Sequence, residues 1–216
     1  MKILQLMKYD ALNIADGELG LGLQFFEKIK QNSKIPLLSS NIYKNNQPLG
    51  QLFVIKQFPG FKAGIVGIVS PNYFNQEFLK KEGLEIKDPA IALKEILPRV
   101  KAQANLIILL SHLGKLHTSQ LVQNIPGIDI AIVGHDLGNL SPPQKIGNTI
   151  LVQSCMQGKF LGILDLTLRN NAGIAEYNGN IIAITEETPS DPKILKIIEE
   201  LSKRKKSPNL YHTFPQ

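Results

Sequence analysis

The sequence predicts an α/β fold, and three observations carry that reading. Between residues 88 and 135, helical stretches alternate with short, nearly continuous apolar runs, the pattern of a parallel sheet covered by helices. From 142 to 187, strand-like segments follow one another, joined by Gly-Asn and Asn-Asn-Ala-Gly turns. No helical pattern returns until residue 191. Two packed sheets of mixed direction, with helices outside, satisfy all three.

The elements follow in order. "YDALNI" (9–14) reads as a short strand. "LGLGLQFFEKIKQN" (19–32) sets Leu21, Phe25 and Ile29 at helical spacing, so it reads as one amphipathic helix despite its glycines. "PLLSSNIY" (36–43) is a strand, and "QLFVIKQF" and "FKAGIVGIVS" flank Pro59-Gly60 as a hairpin. "DPAIALKEILPRVKAQA" (88–104) is a helix with Asp88 as N-cap, Pro89 in the first turn and a kink expected at Pro98. "NLIILLSH" (105–112) and "IDIAIVGH" (128–135) are buried strands, separated by a short helix at 117–125. Pro189 and Ser190 mark a boundary before the last helix, "DPKILKIIEELSKRKK" (191–206).

Composition narrows the function classes. The 216 residues, 43% apolar and 19% charged, suit a globular domain with a real core. No apolar window is long enough to span a membrane, and the N-terminus lacks the pattern of an export signal. The single Cys155 excludes an internal disulfide and a cysteine metal cluster. Half of the net charge of +6 lies in the last 26 residues. The run "KRKK" (203–206) reads as a solvated helix end, with contact to anionic lipid as the sharper alternative. Without aromatic interleaving or a nucleic-acid motif, it does not point to nucleic acid.

Two apolar strands end on histidine: His112 after Ser111, and His135 after Gly134. Functional groups of parallel α/β sheets gather at such carboxyl ends. The strand at 9–14 is followed by Asp16 and Glu18 at a comparable place. Imidazole and carboxylate at neighbouring strand ends suit a divalent Mn, Fe or Zn ion; the plainer alternative is a pair of hydrogen-bonded structural histidines. His117 and His212 fall on predicted surface segments, and Cys155 ends a strand as a buried structural residue.

The ordered blocks "YDALNIADGELGLGLQFFEKI", "IPLLSSNIY", "KAGIVGIVSP", "NLIILLSHLG", "VQNIPGIDIAIVGHDLG" and "NTILVQSCMQGKFLGILDLTL" resemble the calcineurin-like metallophosphoesterases, in particular their 5'-nucleotidase branch. The resemblance covers about residues 5–188 and implies a four-layer α/β/β/α sandwich. It also implies phosphoester hydrolysis by metal-activated water, a small phosphoester substrate and a periplasmic or envelope setting. By this likeness His112 matches the metal ligand of the family's SH motif, and His135 the first histidine of its GHxH motif. Asp16 matches the metal-binding asparagine of its GNHE motif.

Departures are equally specific. Gly17 stands where the family has its catalytic histidine, and Leu137 replaces the second histidine of GHxH. The family's D-x-H and Gly-Asp motifs precede the strand at 9–14 and do not occur here, so the resemblance implies one metal site at most, lacking the N-terminal strands. Residues 1–188 thus read as a partial metallophosphoesterase-like domain, and 189–216 as a linker-like helix with a basic tail. The expected function is 5'-nucleotidase-like hydrolysis, impaired in this chain; the alternative is a noncatalytic binding or structural module on the same fold.

Overall fold

The structure is a computed structural model and describes residues 1–138, 140–169 and 173–205. In chain order the first elements are α1 (Lys2–Leu6), β1 (Leu12–Asn13), α2 (Asp16–Leu19), α3 (Leu23–Asn32), β2 (Leu37–Leu38), β3 (Ile42–Lys44) and β4 (Gln47–Pro48). Then come β5 (Phe53–Phe58), β6 (Phe61–Val69), α4 (Gln76–Glu82), β7 (Leu84–Ile86), α5 (Pro89–Lys101) and β8 (Leu106–His112). The last are α6 (Gly114–Asn124), β9 (Ile130–Val133), β10 (Leu140–Ile146), β11 (Thr149–Gln153), β12 (Phe160–Leu168), β13 (Ile174–Ala183) and α7 (Pro192–Lys205). Residues 10–184 form one compact unit; residues 1–9 group with 185–205 in another.

A six-stranded sheet, in the order β10-β11-β9-β8-β6-β5, organises the larger unit. Its four inner strands run parallel, and β10 and β5 pair antiparallel at the edges. The parallel sheet predicted from the alternation at 88–135 is therefore present, as the inner strands of a mixed sheet. One face carries Val66, Leu109, Ala131 and Leu151, each with no exposed surface. Leu93, Leu97 and Val100 of α5 and Leu121 and Val122 of α6 complete this core. Full burial of one such side chain is worth about 1.5–3 kcal/mol, so this face is the main stabilising element. Asp88 caps α5 as expected, accepting from the N–H groups of Ala90 at 2.9 Å and Ile91 at 3.0 Å, and Pro98 lies inside the helix.

The opposite face is covered in two pieces. Leu164, Leu166, Leu168 and Ile174 of the β12–β13 hairpin pack on Ala63, Leu106 and Ile130. The β1–β2 pair lies against β6, with β1 also reaching β8, while β12 lies against β11 and β13 against β10. A row of paired residues, Gly67, Leu110, Ile132 and Val152, crosses this face. Gly67 is covered so closely by Asn13 that a β-carbon there would collide with Asn13 Oδ1. Ile132, on the inner strand β9 between the two pieces, is 44% exposed.

Several expected elements differ. The helix predicted at 19–32 is broken: α2 ends at Leu19, and α3 begins after Gly22, whose φ of +88° belongs to glycine. With that break the buried face is Leu23 and Phe26, not Leu21 and Phe25, which stand exposed. The strand at 36–43 is two strands, because Ser39, Ser40 and Asn41 turn the chain between them with side-chain hydrogen bonds to the backbone. The helix at 117–125 starts earlier, at Gly114, whose φ of +73° makes the turn out of β8. The sequence reading missed α1, β4, α4 and β7.

Candidate metal centre

Strand alternation sorts the end of β8. Ser111 points under α6, where its hydroxyl meets Thr118 Oγ1 at 2.8 Å, and Thr118 donates onward to Gly114 O at 2.6 Å. His112, one residue later, emerges on the other face. There Ile14 N continues the β1–β2 pairing by donating to Leu38 O at 2.8 Å. Glu18 Oε2 accepts from Ala15 N at 2.9 Å, closing the turn that begins α2. Asp16 projects from that turn, and its Oδ1 lies 2.8 Å from His112 Nε2.

His135 arrives from the end of β9. Gly134 N donates to Ser111 O at 2.8 Å and Gly114 N to Gly134 O at 3.1 Å, so the ends of β8 and β9 are locked together. His135 then takes φ +59°, a left-handed backbone that costs a non-glycine residue about 1–2 kcal/mol. Its Nδ1 lies 3.1 Å from the same His112 Nε2. Next to it, Asp136 accepts from Lys115 N at 2.9 Å, at the start of α6, and from Leu137 N at 2.8 Å. These backbone donors hold the Asp136 carboxyl below its usual value.

The three sequence candidates thus come together, with one ligand atom each inside a span of 4.8 Å. Their donor set fits a divalent cation on chemical grounds. His112 Nε2 faces Asp16 Oδ1 and His135 Nδ1 at once. A proton on Nε2 serves Asp16 and leaves His135 Nδ1 poorly served; without it, the Nε2 lone pair faces carboxylate oxygen. A cation accepts electron pairs from all three. Burial lowers the His112 pKa, outweighing the opposing pull of Asp16, and so favours the neutral imidazole that a metal ligand must be. One carboxylate and two imidazoles suit Mn, Fe or Zn.

Tyr73, which sequence reasoning did not single out, roofs the cluster. It ends a 3-10 turn at Pro71–Tyr73, capped by Ser70 Oγ accepting from Asn72 N. Ser70 N donates to His112 O at 3.3 Å, tying this turn to β8. The Tyr73 ring stacks on His135 at 3.5 Å between centroids and 22° between planes, and meets His112 edge-on at 5.7 Å. Its hydroxyl donates to Leu113 O at 3.1 Å. Burial, then Asp136 and Asp16, raises the phenol pKa, so it remains a donor.

The remaining candidates stand apart. His117 is on α6, with Nδ1 3.3 Å from Leu113 O. Cys155 is partly exposed rather than buried, and lines a cavity of about 580 Å³ with His135, Asp136, Leu137 and Ser154. Leu137 is 76% exposed beside His135. Around Gly17 a β-carbon would meet nothing within 4 Å. His212 and Lys206 lie outside the described residues. Among the described residues, no helix is long and apolar enough to cross a membrane.

No family model matches the chain. Human 5'-nucleotidase is 27% identical over 214 residues, which cover 87% of this chain and 37% of that protein. The chain therefore spans well under half the length of this curated relative. The calcineurin-like phosphoesterase YfkN of Bacillus subtilis superposes with a TM-score of 0.81 at 21% identity, over 94% of this chain and 72% of that one. A 5'-nucleotidase precursor of Thermus thermophilus superposes with a TM-score of 0.78 at 20% identity, over 92% of this chain and 43% of that one.

Proposed function

We propose that this relative of the calcineurin-like metallophosphoesterases, on their 5'-nucleotidase branch, holds one divalent cation through Asp16, His112 and His135 and serves phosphoester hydrolysis with impaired turnover. The observation that carries the reading is the convergence of the three ligand atoms within 4.8 Å. A cation bound there supplies charge neutralisation and polarisation of a phosphoryl oxygen. The chain's own residues do the rest. Asp16 supplies the negative charge that attracts the cation, and neutral His112 contributes Nε2. Exposed His135 borders the open cavity from which a small phosphoester approaches.

The impairment follows from Gly17 and Leu137. A charge-stabilising or proton-transferring side chain contributes about 10²–10⁴-fold to rate, and glycine offers none. Kinship with 5'-nucleotidases supports a nucleotide-like phosphoester as substrate class and an envelope or periplasmic setting.

The test is titration of Mn²⁺ or Zn²⁺ into the protein by calorimetry, alongside hydrolysis of bis-p-nitrophenyl phosphate. The expected result is one ion per chain and slow turnover, both lost in His112→Ala/His135→Ala. Unchanged ion binding in that double variant sinks the proposal.

A second reading, a noncatalytic module on the same fold, is favoured by the empty space at Gly17 and the exposed Leu137. Turnover that disappears with His112→Ala counts against it.

A further inference from the structure

The geometry assigns Tyr73 as the positioning residue that holds His135 for cation binding. This inference rests on the metal reading above. Asp16 and His112 are partly buried and packed by their surroundings, whereas His135 is exposed and stands on a left-handed backbone. An exposed imidazole turns freely about its side-chain bonds unless something holds its ring. Its Nδ1 contact with His112 fixes one atom of the ring. The flat contact with Tyr73, 3.5 Å between centroids, fixes the plane.

Tyr73 is itself held at both ends. Its backbone N–H donates to Ser70 O at 3.4 Å, and Ser70 in turn hangs from His112 O at 3.3 Å. Its hydroxyl reaches Leu113 O at 3.1 Å, immediately after His112. The ring that orients His135 is therefore anchored to the end of the strand that carries His112. Tyr73 sets one histidine relative to the other and need not touch the cation itself. Supporting groups around metal ligands typically change ion affinity by about 10–100-fold when removed.

The test compares wild type, Tyr73→Phe and Tyr73→Ala with two readouts. Proton–carbon NMR of the histidine rings reports stacking without metal: the His135 signals are expected upfield in wild type and Tyr73→Phe, and released in Tyr73→Ala. Zn²⁺ calorimetry is expected to show Tyr73→Ala weakened about tenfold or more, with Tyr73→Phe close to wild type because it keeps the ring face. Equal Zn²⁺ affinity in wild type and a folded Tyr73→Ala overturns the positioning role and leaves the metal reading standing. Zn²⁺ binding absent from wild type, with the upfield shift present, overturns the metal reading and this role with it. Should Tyr73→Ala fail to fold, the wild-type spectrum and Tyr73→Phe still decide: His135 signals at unstacked positions, or Tyr73→Phe weakened as much as a ligand deletion, overturn the proposal.

Discussion

Asp16 Oδ1 lies 2.8 Å from His112 Nε2, the same nitrogen that His135 Nδ1 approaches to 3.1 Å. The site is built on this shared atom. Leu137, exposed two residues beyond His135, lines a cavity together with it.

Leu137→His is expected to tighten Zn²⁺ or Mn²⁺ binding about tenfold or more, the lower end of what support around a metal ligand contributes. Calorimetry against wild type checks it. Combined with Gly17→His, for which there is open space, bis-p-nitrophenyl phosphate turnover should rise about 10²-fold, the lower bound for one restored catalytic group. Unchanged affinity and rate in the double variant would mean that the deficiency lies elsewhere.

Asn41 should be the costliest polar residue to lose. It has no exposed surface. Its side-chain amide donates to Val69 O at 2.8 Å and Lys87 O at 3.0 Å, and its carbonyl accepts from Val69 N at 3.0 Å. Asn41→Ala strands these backbone groups, and each unsatisfied group costs about 1–3 kcal/mol. Urea unfolding should show a loss of about 3 kcal/mol or more; a loss within the noise of a surface mutation would refute the account.

Asp129 makes stability depend on pH in an uncommon direction. Its Oδ2 accepts from Ile107 N at 2.7 Å. Burial nevertheless raises its pKa, outweighing that bond and the nearby Lys101. The folded state thus holds this proton more tightly than the unfolded chain. The contribution is neutral below the ordinary carboxyl value, becomes destabilising as pH rises from that value through the raised one, and stays so above. Asp129→Asn keeps an acceptor for Ile107 N and removes the titration. Between pH 3.5 and 7 the denaturant midpoint of the variant should gain on that of wild type as pH rises.

Ile132 is expected to favour self-association. An apolar side chain 44% exposed on an inner strand invites contact with other apolar surface. Ile132→Thr keeps a β-branched residue in the strand. Sedimentation velocity should show less concentration-dependent association, with thermal stability within about 1 kcal/mol of wild type. Identical association in both proteins would clear this residue.

Much of this was legible in the residues. His112 and His135 were legible because each ends an apolar run where a polar side chain is out of place; Asp16, in a common Asp-Gly turn, was legible only from its comparable place after the strand at 9–14. The parallel sheet was legible because buried strands leave runs such as 105–112. Two places were not. In 19–32 the apolar residues offer two overlapping helical faces, and only the backbone of Gly22 selects the one with Leu23 and Phe26. Tyr73 sits in a turn with no periodicity, and its partner lies far along the chain; a stacking contact across such a separation leaves no local signature.

The wide spacing of the cluster has a consequence for the order of assembly. Asp16 and His112 are 96 residues apart, and His112 and His135 are 23 apart. The histidine pair can meet once β8 and β9 lie side by side, whereas bringing Asp16 to His112 closes a longer loop that contains β5 and β6. The longer closure costs about 1 kcal/mol more in chain entropy than the shorter one. Asp16 is therefore expected to be the last of the three ligands to arrive. A cation that binds through all three would then meet a cleft whose sheet is already formed.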